Sequence, residues 1–362
     1  MTPVVERVSC SLVRVPLRRP WGPEVTELRL VVAHVETSDG LTGTGFSWTP
    51  GPGATAVHAL LRDDIAPFLV GRPADPAPVW DALWEHLHES GSAGLTTMAM
   101  AAVDIALWDL AGMRTGRSLV DVLGRRRDAA RLYGSGVNFH YSRDELVEQA
   151  QRWRKSGFEA VKIKIGRADV EEDLDRVAAV REVVGERTQL MLDANQRWDL
   201  PTAVRALQQL ERFGPTWIEE PLLSDDLDAH VTLRRHTDIP VALGESLYTR
   251  YQFRDAFTRR ICDYVQPNVV RVGGITPFRR IASLAESFGV TVAPHLLPDL
   301  STQLALCLPH DAWVEHVEDA SFTELKILTE PSGVHLDGPR GRADTAPGHG
   351  LRFDTRIVMT TN

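Results

Sequence analysis

The chain has 362 residues, 43% of them hydrophobic and 25% charged, the balance of an ordinary globular protein; such a length suits a barrel of about 250 residues with a second domain beside it. A formal charge of −9 argues against a general nucleic-acid partner, which needs a basic face. Cys10, Cys262 and Cys307 lack metal or redox spacing and suit a reducing cytoplasm, residues 1–20 lack the apolar core of a signal peptide, and no apolar run is expected to reach membrane-span length.

Residues 4–15 and 28–37 alternate apolar and polar, the period of half-buried strands. Asp39-Gly40 predicts a turn into a third strand, 41–48, completing an antiparallel meander. Two Pro/Gly-rich loops, 18–23 and 49–53, border these strands. Helices are predicted over 54–70, 76–90 and 95–113, the last a packed core helix with Asp104 as its polar interruption and Asp109 as a local capping or ion-pair residue. This α+β region ends at the charged stretch Arg125–Asp128, so residues 1–127 read as the first domain.

From Arg131 strands and helices alternate. Strands are predicted at 132–136, 160–165, 190–193, 217–219, 241–244, 263–266, 290–293 and 313–317. Helices begin at the capping box Ser142–Glu145, at Asp169, at Asp199 with Pro201, and at Thr276-Pro277. Eight strands in strict alternation mean a parallel sheet closed into a barrel, over 128–319. The tail, 320–362, carries strand-like pieces expected to pack back on the first domain.

Chemistry in such a barrel sits at the C-terminal strand ends. Three apolar runs stop at evenly spaced carboxylates, Asp193, Glu219 and Glu245. Strands about 4.8 Å apart bring them around one point, and three anions that close require a cation. All-oxygen ligands favour Mg²⁺. Unrelated surface acids are the bland alternative, and equal spacing after apolar runs argues against it. On the second strand, Lys162 and Lys164 share the inward face by the period of two. Mutual repulsion is expected to lower their pKa values from about 10.4 and to make a usable general base. His295 ends the seventh strand and Glu315 lies on the eighth. Asn195 and Asn268 can each offer an amide N–H to a substrate oxygen. Arg271, before Gly273-Gly274, is read as one available cation on a loop.

Taken together, Val161–Gly166 (VKIKIG), Leu192–Asn195 (LDAN), Trp217–Pro221 (WIEEP), Gly244-Glu245, Asp263–Thr276 (DYVQPNVVRVGGIT), Pro294–Leu296 and Trp313–Glu315 resemble the enolase superfamily, mandelate racemase subgroup. The resemblance implies an N-terminal α+β capping domain over a modified TIM barrel, (β/α)7β. It implies Mg²⁺ on Asp193, Glu219 and Glu245, binding a substrate carboxylate and stabilising the enediolate left when the α-proton is removed. Lys164 would be the base, tuned by Lys162, with His295 on the opposite face and Glu315 donating a hydrogen bond to the enolate oxygen. The loops 18–24 and 48–54 would close over the substrate, with Trp21 and Trp48 as contacts. The expected partner is a small-molecule carboxylate, a sugar acid, with no nucleic acid and no membrane, and the expected assembly a homo-oligomer. Dehydration of a sugar acid is the leading expectation. A racemase, epimerase or cycloisomerase is the alternative, and a non-catalytic barrel the rival from another class. Where the subgroup usually has an aspartate paired with the histidine, this chain has Asn268. An uncharged partner predicts a weaker base and stronger acid at His295, which favours one-base chemistry.

Overall fold

The computed structural model describes residues 3–356. Strands β1 (Val5–Pro16), β2 (Glu27–Thr37) and β3 (Thr42–Thr49) form the expected antiparallel meander. Gly40, at φ 79, turns the chain between β2 and β3, and its N–H reaches the Thr37 carbonyl at 2.8 Å. Helix α1 (Ala54–Leu60) passes through a π turn into α2 (Ala66–Leu69), followed by α3 (Pro76–His86), α4 (Leu95–Thr115) and α5 (Leu119–Leu123).

Helix α4 organises this part. It is long and apolar enough to cross a membrane, contrary to the expectation that no segment would be, yet 83% of that window is buried inside the protein. Its backbone approaches β3 closely because β3 begins Thr-Gly-Thr-Gly. A Cβ added at Gly45 would stand 2.0 Å from the Ala102 carbonyl oxygen, and one at Gly43 2.2 Å from that of Ala106.

The second part alternates as predicted: β4 (Ala130–Ser135), α6 (Arg143–Lys155), β5 (Ala160–Lys164), α7 (Val170–Val184), β6 (Gln189–Asp193), α8 (Leu200–Leu210), β7 (Pro215–Glu219), α9 (Leu227–Leu233), β8 (Val241–Leu243), α10 (Arg250–Thr258), β9 (Tyr264–Val265), α11 (Ile275–Phe288), β10 (Thr291–Val292), α12 (Pro298–Ala305) and β11 (Trp313–Val317). The Ser142/Glu145 capping box opens α6, and Thr249/Gln252 forms a second one at α10. Neighbouring strands from β4 to β10 pair in parallel, and β11 pairs with β4. Between β10 and β11 side chains bridge the seam: His310 Nε2 lies 2.8 Å from the Val292 carbonyl oxygen, and Glu315 accepts from the Leu296 N–H at 3.2 Å.

The period of two sorts the strand residues into layers. One phase, Val161, Ile163, Leu190, Leu192, Ile218 and Val241, packs outward on α6, α7 and α8. The other fills the interior with Tyr133, Ala160, Met191, Trp217, Ala242, Ala293 and Trp313. Two residues further along the strands, above this apolar plug, stand Ser135, Lys162, Asp193, Glu219 and Glu315.

The tail divides its packing. Strands β12 (Val334–Asp337) and β13 (Arg340–Ala343) form a hairpin whose second strand adds to the start of β4, through Arg340↔Arg131 and Gly341↔Ala130. That contact with the barrel was not expected: the free side of β4's first residues offers unpaired backbone groups that a returning strand can satisfy. The chain meets the N-terminal part on both sides of this hairpin: before it Phe322 stands edge to face on Phe46 at 5.0 Å, and after it the His349 N–H donates to buried Asp109 at 3.0 Å and Phe353 packs 5.3 Å from Phe46. Residues 357–362 of the tail reading lie outside the described residues.

Candidate active site

Asp193 and Glu219 reach the mouth of the barrel by simple alternation, two residues beyond Met191 and Trp217. Glu245 does not. Counting inward positions from Ala242 points Glu245 outward, and Gly244 redirects it with φ 130, where a Cβ would meet the Gln266 N at 2.9 Å. The three carboxylates present oxygens within 4.8 Å of one another. Burial and the Asp193 carboxylate push Glu219 up to about 7, against the pull of Lys162. Its Oε2 accepts from Lys162 and from Gln266 Nε2, each at 2.8 Å, while its buried Oε1 has no protein partner. An orphaned carboxylate oxygen beside two further carboxylates fits a hard divalent cation such as Mg²⁺. Glu220 points elsewhere: Ser224 and Gln196 donate to it at 2.8 and 2.9 Å.

The lysines differ in reach. Lys164 lines a cavity of about 170 Å³ together with Asn195, Glu245, Arg271, His295, Glu315, Trp21 and Trp48. Lys162 lies beneath, 1% exposed, with its Nζ 5.5 Å from the centre of the Tyr133 ring. The expected depression of their pKa values is not found. Burial lowers both, and for Lys164 so does Lys162, but the carboxylates win. Glu219, Glu315 and Asp193 hold Lys162 well above its ordinary value, and Asp193 raises Lys164. Lys164 donates to Asp193 Oδ2, and Lys162 sits 2.8 Å from Glu315 Oε1. In this state the ammonium groups act as counterions to the crowded acids.

Glu315 also departs from expectation. Burial raises it, but the Lys162 ammonium, with that of Lys164 behind it, outweighs burial and holds it at about 2. It accepts from Ser135 Oγ at 2.7 Å and from Leu296 N at 3.2 Å, so here it is an acceptor, where a proton donor was expected. Asn268 is likewise corrected as a substrate contact. It is fully buried, and its amide nitrogen lies 3.0 Å from His295 Nδ1 while its Oδ1 accepts from the Val270 and Arg271 N–H groups. His295 Nε2 lies 2.7 Å from Glu245 Oε2. Arg271, read as free, donates to the Glu245 carbonyl oxygen at 2.7 Å.

Gln266 and Ser135 had no assigned role in the sequence. The ends of the sixth and first strands were the available signal, without a charge to mark them. Trp21 and Trp48 meet edge to face at 6.2 Å and, with Leu296 and Val317, give the cavity an apolar wall. A larger cavity of about 500 Å³ lies by α11 and α12, bounded by Trp108, Arg126 and Arg279 and away from all of these groups.

A barrel with carboxylates on three successive strand ends, paired lysines on the strand just before them and a histidine across the mouth defines a metal-assisted carboxylate enzyme architecture. The chain belongs to the enolase superfamily: residues 145–357 match the enolase C-terminal domain-like family, and 8–124 the mandelate racemase/muconate lactonizing enzyme N-terminal domain. It is 35% identical to 3,6-anhydro-alpha-L-galactonate cycloisomerase of Streptomyces coelicolor, over 97% of each chain. It is 34% identical to L-talarate/galactarate dehydratase of Salmonella typhimurium, over 96% of this chain and 88% of the relative. The crystal structure of L-talarate dehydratase from Polaromonas sp., complexed with Mg and L-glucarate, superposes with a TM-score of 0.88 at 37% identity, covering 98% of this chain and 96% of that one.

Proposed function

We propose that this chain is a Mg²⁺-dependent lyase that removes the proton α to the carboxylate of a sugar acid and expels the β-oxygen. The observation that carries it is a cavity lined by Lys164, His295 and Glu245, the last of which presents its carboxylate within 4.8 Å of those of buried Asp193 and Glu219. Asp193, Glu219 and Glu245 would hold the metal. Bound there, Mg²⁺ supplies fixed positive charge for the substrate carboxylate and for the negative charge that builds on it. Lys164, freed from Asp193, takes the α-proton at Nζ. The C–H electrons become the Cα–Cβ double bond as the Cβ–O bond breaks. The departing oxygen takes up the proton that Lys164 has removed, which returns the lysine to its free base, so dehydration releases one water and leaves an enol, which rearranges to the 2-keto-3-deoxy acid. Lys162 stays buried and holds Glu219 and Glu315 in place. The apolar wall excludes water from the reacting face.

Cycloisomerisation is the second reading, because that wall suits a compact ring better than an extended polyol. The electron flow is the same, except that the departing oxygen belongs to the ring and remains attached. A homo-oligomer is proposed on the family resemblance, and light scattering tests it. The function is tested by offering sugar mono- and diacids and anhydro acids with Mg²⁺ in D₂O, following α-deuterium uptake and keto-acid formation. Turnover lost in Lys164→Ala supports the proposal. No exchange with any acid, or exchange indifferent to Lys164→Ala, overturns it.

A further inference from the structure

We infer that Asn268 is a positioning residue that locks His295 with its proton on Nε2, making it a hydrogen-bond donor to the substrate and leaving the site with one base, Lys164. The inference rests on the proposed reaction for its substrate and on geometry for everything else.

The argument starts at the Asn268 amide. Its two ends are chemically distinct, one acceptor and one donor pair. Oδ1 accepts from the N–H groups of Val270 at 3.0 Å and Arg271 at 3.2 Å. Both donors are backbone groups and cannot reverse. Turning the amide over would aim its NH₂ at two N–H groups inside a fully buried site, leaving all of them unsatisfied. The amide is therefore fixed with its NH₂ toward His295 Nδ1, 3.0 Å away. Facing a donor, Nδ1 must accept, so the ring carries its proton on Nε2.

The consequence is directional. To take an α-proton at Nε2, an imidazole must already carry its proton on Nδ1, which an aspartate partner would favour. Asn268 opposes that arrangement. Nε2 instead offers its N–H to an oxygen, the role of a neutral imidazole that polarises a developing oxyanion. The expectation that an uncharged partner makes His295 a stronger acid is thereby replaced. His295 holds and polarises an oxygen, which leaves Lys164, among the described residues lining the cavity, as the base for the α-proton. The surrounding backbone supports the lock, since Thr97 Oγ1 donates to the Arg271 carbonyl at 2.7 Å and Trp80 Nε1 to that of Gly273 at 3.0 Å.

Asn268→Asp is the informative variant, because an aspartate can accept from the same two backbone N–H groups while its second oxygen accepts from Nδ1. Protein carrying ¹⁵N-labelled histidine, saturated with Mg²⁺, is compared with Asn268→Asp, and His295→Asn identifies the signal. Wild type is expected to show His295 with an unprotonated Nδ1 and a protonated Nε2, and Asn268→Asp with a protonated Nδ1. A protonated Nδ1 in wild type, or an unchanged pattern in Asn268→Asp, overturns the inference without use of any substrate. In D₂O, wild type should exchange the α-proton of one C2 epimer only. Asn268→Asp should raise exchange of the opposite epimer at least tenfold, a gain removed by adding His295→Asn. Opposite-face exchange by wild type that depends on His295 also overturns it. Absence of exchange from either epimer of every acid tried would instead sink the proposed reaction, with the nitrogen spectrum still deciding the tautomer.

Discussion

At the scale of single residues, the site is a crowded set of charges whose balance depends on what occupies its centre. Two ammonium groups compensate the carboxylates around Glu219, and one Glu219 oxygen remains without a partner. Mg²⁺ at a hundredfold excess over its Kd should stabilise the fold by about 2.7 kcal/mol. The expected outcome is a rise in Tm on adding Mg²⁺, reversed by EDTA and absent in Glu219→Gln. A Mg²⁺-induced rise of equal size in Glu219→Gln would remove Glu219 from the metal site. Lys164→Ala is expected to retain that rise while losing α-proton exchange at least a hundredfold, the range of a positioned general base. Isothermal titration with Mg²⁺ and exchange measured by NMR separate the two effects.

At the scale of elements, backbone strain gathers where the chemistry is. Of the eight non-glycine residues with positive φ among the described residues, Asn195, Gln196, Glu220, Leu296, Leu297 and Asp319 lie just beyond barrel strands. Helix α4 shapes this region from outside. Asp104 accepts from the Thr276 N–H at 2.9 Å and so caps α11 across the boundary between the two parts. Burial pushes Asp104 up to about 7, against the pull of its hydrogen bonds to Thr276 and Ile275 and of Arg280. An acid raised in the folded state contributes stability that is fully present below its unfolded pKa of about 4 and lost as pH rises through about 7. Asp104→Asn keeps a carbonyl acceptor and abolishes the titration. Its Tm should therefore vary less than wild type between those pH values and exceed wild type in the alkaline range. Parallel Tm–pH curves for the two proteins would contradict the assignment. Gly45→Ala, by contrast, drives a methyl into the α4 backbone and should lower stability by about 1–3 kcal/mol or more, read by urea unfolding.

For the whole molecule, the C-terminal tail and α4 make one clasp. Asp109 is fully buried and accepts from the N–H groups of Thr44 and His349 and from Arg352 Nη1 at 2.9 Å. Removing one partner from a buried pair leaves an uncompensated charge, at about 3–5 kcal/mol when both partners are buried. Arg352 is 26% exposed, so Arg352→Ala should cost less, about 2–3 kcal/mol. Urea unfolding measures the loss. A variant as stable as wild type would show that the Arg352–Asp109 pair contributes nothing to the clasp. Trp108 and Trp80 add hydrogen bonds from α4 and α3 to Thr276 and Gly273 on the barrel, so the helical cover helps fix the loop that presents Asn268 and Arg271.

Much of this was legible in the chain before any coordinates. The parallel alternation, the capping box at Ser142 and the inward phase of Lys162, Lys164, Asp193 and Glu219 follow from local periodicity, which a strand or helix obeys whatever surrounds it. The three acids were legible because each ended an apolar run. Tertiary structure alone decided the rest. Glu245 depends on one glycine's φ, and the β12–β13 hairpin on an open edge of β4. The signs of the lysine shifts depend on how many carboxylates meet them, a sum over strands remote in sequence. The orientation of Asn268 depends on two backbone N–H groups beyond it and a ring on the next strand. Periodicity places a side chain on a face. The direction of its hydrogen bond and the sign of its pKa shift belong to the neighbours that folding brings to it.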